Sequence, residues 1–341
     1  MISQLNVMAK RIKTILKYGI FIGIGVFLVW WQLKSMTASE KNEFTYAIKN
    51  ARYWILIPIA LMSILSHISR SMRWKLLLEP MGYKPSLPNV FMATMVGYLA
   101  NSAIPRLGEI LKCTFLARYE KLKVDKLIGT IILERSFDLL CYVFFIGITV
   151  VFQIDLIGDY VNEKLGLFVS QKSGSIWIKL TLALTLLIFG WLTLRFFLKK
   201  FPNNTIISKI NQTFQGLIEG FKTIRTLKKP GLFWVHTVFI WLMYLAQIYV
   251  GFSGMDSTSG LGIGAACSVL TLATLSMIVT PGGIGSFPIF VMQTLVIYGV
   301  HEPLGKAFGW LMWGSSTGII VITGLISLIW MPMYNNRRNL Y

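Results

Sequence analysis

Apolar residues run almost unbroken over 17–33, 53–70, 126–152, 176–197, 232–252 and 307–331, stretches suited to crossing ~30 Å of hydrocarbon as helices. Two further apolar stretches, 88–119 and 259–300, are interrupted by turn residues and charge. Asn101-Ser102-Ala103-Ile104-Pro105-Arg106-Leu107-Gly108-Glu109 breaks the first, and Thr280-Pro281-Gly282-Gly283-Ile284-Gly285-Ser286 breaks the second. An unpaired backbone amide in hydrocarbon costs several kcal/mol, so a broken segment persists only where protein buries it or a watery cavity hydrates it. The pattern predicts an all-α, polytopic membrane helical bundle with about six full spans and two interrupted re-entrant segments. The short connections leave no room for a separate soluble domain, so 1–341 reads as one membrane domain.

Composition agrees: 55% of the 341 residues are hydrophobic, 14% are charged, and mean hydropathy is +0.63, above the soluble range. Lys and Arg outnumber Asp and Glu by 33 to 14, an excess that belongs in cytoplasmic loops beside anionic headgroups. The basic residues are scattered between spans, so nucleic acid is not an expected partner. Lys10, Arg11, Lys13 and Lys17 precede the first apolar run without a small-x-small cleavage site after it, which reads as a retained signal anchor with a cytoplasmic amino terminus.

With that end inside, 70–84 (Arg70, Arg73, Lys75, Lys84), 112–126 (Lys112, Arg118, Lys121, Lys123, Lys126), 195–229 and the tail with Arg337 and Arg338 face the cytoplasm. The 153–175 loop, with Asp155, Asp159 and Glu163, falls outside. The external stretch 34–52 breaks the rule, carrying Lys34, Lys41, Lys49 and Arg52 against Glu40 and Glu43. In this orientation the first interrupted segment dips in from the cytoplasm and the second from outside. The triplets 53–152 and 232–331 then run in opposite directions, as inverted repeats do when they place a transporter's substrate near midplane. Ile206, Ile210, Phe214, Leu217, Phe221 and Ile224 give 205–228 a helical apolar spacing, either an amphipathic helix on the inner surface or a plain linker helix.

Glu134, Arg135 and Asp138 lie inside the span 126–152. Counting from Lys126 at 1.5 Å per residue, Glu134 is about 12 Å deep and Asp138 about 18 Å. Each costs ~2.5–3.5 kcal/mol at a helix centre, so the three must pair or line an aqueous path. Glu134 and Asp138 share a face at i, i+4, and Arg135 to Asp138 is an i, i+3 pair able to neutralise one charge. A salt-bridge cluster that only fixes helix register is the alternative to a substrate role. Arg106 and Glu109 follow Pro105 where a helix restarts. Glu109 suits the uncapped amides at that positive helix end, and Arg106 offers a planar fork to a lipid phosphate, unless the two pair across one turn. Arg70 and Arg73 fall near the inner end of the second span beside Trp74, where snorkelling competes with phosphate binding. Pro281, Gly282, Gly283 and Gly285 permit backbone angles closed to other residues and close approach of a second backbone or a headgroup. His67, His236 and His301 are dispersed, and Cys113, Cys141 and Cys267 show no pairing or metal spacing, so no metal or cofactor is expected.

Together these residues resemble the transmembrane region of lysylphosphatidylglycerol synthases and the wider flippase-like family of stand-alone membrane proteins. The resemblance rests on Arg73-Trp74, on Asn101, Pro105, Arg106, Gly108 and Glu109, on Glu134, Arg135 and Asp138, and on Pro281, Gly282, Gly283 and Gly285. It implies movement of a phospholipid or glycolipid between leaflets of a bacterial inner membrane, an aminoacylated phospholipid being the leading candidate. Arg106 would hold the phosphate, Glu134 and Asp138 would neutralise a cationic headgroup or exchange protons, and the glycines would let the second segment rock. The soluble synthase domain of bifunctional members is not in this sequence, so the chain is expected not to be an enzyme. Many members place Phe-Glu after the glycine motif, whereas Phe287 here is followed by Pro288. An intramembrane enzyme using Glu109, Glu134 or Asp138 and an accessory subunit are the rival readings. Oligomeric state stays open, a homo-oligomer included.

Overall fold

A computed structural model describes residues 23–32, 34–165, 185 and 227–338. The expected span 176–197 and the stretch 205–228 lie outside these residues but for 185 and 227–228. The described residues form helices and no strands: α1 (Gly23–Gln32), α2 (Ala38–Lys49), α3 (Leu56–Leu78), α4 (Leu87–Ala103), α5 (Leu107–Glu120), α6 (Val124–Leu165), α7 (Pro230–Phe252), α8 (Ile263–Val279), α9 (Ser286–Ile297) and α10 (Glu302–Arg338). Among them Tyr53–Met81, Pro230–Phe252 and Glu302–Arg337 are long and apolar enough to cross a membrane.

Two stretches read as loops are helical. α6 runs on to Leu165, past the expected loop start at 153. Ile154, Ile157, Val161 and Leu165 recur every three or four residues without a proline, so the acidic residues interrupt hydropathy but not the helix. The charge-rule exception 34–52 contains α2, which begins with a capping box: Thr37 Oγ1 accepts from the Glu40 N–H at 3.3 Å, and the Glu40 carboxylate accepts from the Thr37 N–H at 2.7 Å. Bonding to the Thr37 amide holds the Glu40 carboxyl below its ordinary pKa. Phe44, Ala47 and Ile48 of α2 pack on the core.

Both interrupted segments are helical hairpins, α4 with α5 and α8 with α9. At the mouth of the first, Asn89 Nδ2 donates to Glu120 at 2.7 Å and to Asn335 of α10 at 2.8 Å, near the carboxyl end of α3. At the mouth of the second, the Ser268 and Tyr298 hydroxyls meet at 2.8 Å, on the side where the Arg52 amide before α3 donates to Gly254 after α7. The hairpins therefore open toward opposite ends of α3. Their tips meet inside the bundle, where a Cβ on Gly282 would stand 3.3 Å from Ser102 Cα. Packing repeats in the same sense: α3 lies on α7, α4 on α3 and α10, α8 on α7 and α6, α5 on α6, and α9 on α10. Exchanging α3, α4, α5 and α6 with α7, α8, α9 and α10 maps the pair α3–α7 onto itself and each of the other pairs onto another member of the set.

The first hairpin closes on glycine. A Cβ on Gly97 would sit 2.8 Å from Gly108 O, and one on Gly108 would overlap Gly97 O. Backbone, unlike a side-chain tip, cannot swing aside. Gly108→Ala is expected to cost at least the ~1–3 kcal/mol typical of overpacking, lowering the melting temperature of the detergent-solubilised protein. An unchanged melt would show that the two backbones do not touch.

Candidate functional site

α6 presents Glu134 and Asp138 on one face, and α3 meets that face with Arg70 and Arg73, three residues apart on its own helix. Arg70 Nη1 donates to Glu134 Oε1 at 3.0 Å and to Asp138, while its Nη2 donates to the Tyr244 hydroxyl at 3.2 Å. Arg73 donates to Asp138 Oδ1 at 2.7 Å and to Thr237 Oγ1 at 3.3 Å. Lys112, from α5, reaches Glu134 Oε2 at 3.0 Å and stands 3.9 Å over the Trp74 ring. The Trp74 indole donates to Thr130 Oγ1 at 2.8 Å. The Arg73 and Glu134 side chains are 0% and 4% exposed. Three cations thus surround two carboxylates, and the buried cluster keeps one positive charge.

This arrangement differs from the expected one in several places. Arg73 and Trp74 are fully buried and do not snorkel, because α3 continues to Leu78 and carries them into the bundle. Lys112 is buried and does not belong with the cytoplasmic loop charges. Its sequence signal is its place one turn after Glu109 on an apolar helix restart. Arg135 does not neutralise Asp138. It turns toward α5, where its Nε donates to Glu109 Oε1 at 3.2 Å. The pairing of Arg106 with Glu109 is likewise absent among the described residues. Asn101, not Glu109, caps the restarted helix, its Oδ1 accepting from the Gly108 N–H at 2.9 Å.

The two tips share a local geometry. Arg106, directly after Pro105, has φ 69°, and Gly282, directly after Pro281, has φ 59°. Glycine adopts that left-handed region freely, whereas another residue is strained there. Arg106 is exposed and forms no ion pair among the described residues. At the second tip the glycines are packed in. Trp313 Nε1 donates to Gly282 O at 2.9 Å, and Gln32 Nε2 donates to Gly285 O at 2.8 Å. A Cβ on Gly285 would lie 2.8 Å from Gly25 O of α1. Close packing, not free hinge motion, is what this structure requires of them.

Between the tips lies a cavity of about 740 Å³, in the size range of small-molecule sites. Arg70, Tyr98, Arg106, Glu109 and Arg135 form one wall. Gln247, Thr274, Thr280, Ser316 and Thr317 line the cavity from the other half of the bundle, and Tyr244 joins the two, its hydroxyl accepting from Arg70. Asn101, Pro105, Pro281 and Gly282 bring both breaks to the boundary. Glu134, Asp138 and Arg73 do not line it. They lie behind Arg70 and hold it. Tyr98, Tyr244, Gln247 and the hydroxyls were missed by sequence reasoning because nothing distinguishes a cavity-lining polar residue from a helix–helix contact in a single sequence.

Comparison with known proteins follows this geometry. A family model described as lysylphosphatidylglycerol synthase TM region matches residues 15–333. A UPF0104 membrane protein of Methanocaldococcus jannaschii is 28% identical over 99 residues, covering 28% of this chain and 29% of that protein's length. No solved structure matches.

Proposed function

Because this chain belongs to the family of lysylphosphatidylglycerol synthase transmembrane regions, we propose that its cavity passes the headgroup of a membrane phospholipid or glycolipid between leaflets, in flippase fashion. The observation that carries the reading is the cavity walled by both hairpin tips, with Arg106 facing it unpaired. A headgroup must exchange its water for other polar contacts to cross hydrocarbon, and this chamber offers charge and hydroxyls together. Arg106 and Arg70 receive the phosphate. Asn101 and Gly108 fix the tip that presents Arg106, and Glu134, Asp138 and Arg73 hold Arg70 in place. The packing exchange between α3–α6 and α7–α10 supports inverted repeats, whose relative rocking would open the cavity to either side in turn. The basic residues after α3 and α5 and in the last turn of α10 favour that end as cytoplasmic, in a bacterial inner membrane.

Transport without bond chemistry is also the reading that Ser63 and His67 favour. Their Oγ and Nε2 stand 3.3 Å apart in the cavity wall, but among the described residues the buried His67 Nδ1 has no partner and no carboxylate orients the ring as a general base requires. The test is a lipid inventory of the purified protein, followed by a leaflet-orientation assay in proteoliposomes with acyl-labelled lipids. Enrichment of one lipid class and a protein-dependent gain in headgroup exposure are expected. If no lipid is enriched and exposure is unchanged, the proposal fails.

A further inference from the structure

The charges around the cavity are unequal and their partners are settled. Arg70, Arg73, Lys112, Arg106 and Arg135 face Glu109, Glu134 and Asp138, five cations against three carboxylates. Every one of those carboxylates is engaged: Glu134 by Arg70 and Lys112, Asp138 by Arg70 and Arg73, and Glu109 by Arg135. Among the described residues, Glu109 is the only carboxylate in the cavity wall. A cationic amine entering the cavity would meet one carboxylate, already shared with Arg135, against the guanidinium groups of Arg70, Arg106 and Arg135. It would also add a positive charge close to the buried Arg70 cluster, which already keeps one uncompensated charge. An anion meets the opposite situation. Arg106 has no ion pair among the described residues, and Arg70 contributes a second guanidinium to the lining.

The facing wall carries no charge. Gln247, Thr274, Ser316 and Thr317 offer hydroxyl or amide groups there. Thr274 donates to Leu270 O and Ser316 to Trp313 O, each within its own helix. Their hydroxyl oxygens keep lone pairs that accept from a ligand. Gln247 donates to Met243 O through its amide nitrogen, leaving the side-chain carbonyl oxygen as a further acceptor. A wall of acceptors across from guanidinium groups suits a molecule with an anionic end and a hydroxyl-donating body.

Resting on the transport reading above, we infer that the lipid taken by this cavity is a phosphodiester whose headgroup is an uncharged polyol or sugar, in preference to an aminoacylated headgroup that ends in an ammonium. Arg106 and Arg70 hold the phosphate, and the hydroxyl wall of α7, α8 and α10 holds the polyol.

The test uses the full-length protein in proteoliposomes with four acyl-labelled probes: phosphatidylinositol, phosphatidylglycerol, lysyl-phosphatidylglycerol and a diglucosyl diacylglycerol that lacks phosphate. The two anionic polyol phospholipids are expected to bind and cross at least tenfold better than either of the others. Thr317→Val is expected to weaken phosphatidylinositol several-fold while leaving phosphatidic acid binding unchanged, a readout that separates lost recognition from lost fold. If lysyl-phosphatidylglycerol crosses as well as phosphatidylinositol, the inference is overturned and the transport reading stands. If the phosphate-free glycolipid does so, the role given to the phosphate is overturned. If none of the four crosses or binds, the transport reading itself falls and this inference with it.

Discussion

Asp138→Ala is expected to lower stability by about 3–5 kcal/mol, the loss typical when one partner of a buried ion pair is removed. Asp138 accepts from both Arg70 and Arg73, and the Arg73 side chain is 0% exposed, so neither water nor headgroups can replace the carboxylate. The substitution raises the buried surplus from one positive charge to two. Adding Arg73→Met returns it to one, with a straight apolar chain of similar length in the vacated space. The double variant Arg73→Met/Asp138→Ala is therefore expected to regain most of the lost stability, although Arg73 alone contributes two hydrogen bonds in the native protein. Thermal unfolding of wild type, both single variants and the double variant measures the coupling directly. Equal and additive losses would mean that Asp138 and Arg73 do not depend on each other, and Arg70 would then have no rigid backing.

Backbone chemistry made much of this fold legible. Pro105 and Pro281 mark the two tips because proline cannot continue a helix's hydrogen bonding, and both breaks occur where the sequence places them. Hydropathy likewise located α3, α7 and α10. Partner choice was not legible. Arg135 lies i, i+3 from Asp138, yet its guanidinium goes to Glu109 on α5, because Glu134 and Asp138 together point at α3. Helical spacing gives the direction of a side chain but not the identity of the neighbouring helix. Lys112 and Arg73 were misplaced for a related reason: a basic residue near the end of an apolar run reads as interfacial, and burial depends on how far the helix continues and on what packs over it. The cavity is the least legible feature of all, since its hydroxyl wall is built from three helices, α7, α8 and α10, whose polar residues carry no shared motif.

The second large effect belongs to Arg106 and separates its backbone from its side chain. The corresponding position after the other tip's proline is Gly282, and both have left-handed φ. A non-glycine residue there is strained by roughly 1–2 kcal/mol, and the side chain makes no ion pair within the described protein that offsets it. Arg106→Gly is therefore expected to leave the fold intact and raise the melting temperature slightly, by relieving that strain. Arg106→Ala keeps the strain and should be less stable than Arg106→Gly. Both remove the guanidinium, and hydrogen bonds to charged groups are worth about 1.5–3 kcal/mol, so each is expected to reduce lipid movement by roughly ten- to a hundredfold. Arg106→Lys should fall between these variants and wild type, because an ammonium retains the charge but not the planar two-pronged donor. The discriminating pattern is opposite signs in one variant: Arg106→Gly more stable and nearly inactive. If Arg106→Gly instead destabilises the protein, Arg106 is a structural residue. If it moves lipid at the wild-type rate, the phosphate contact lies elsewhere in the cavity, with Arg70 and Arg135 as the other guanidinium groups that line it.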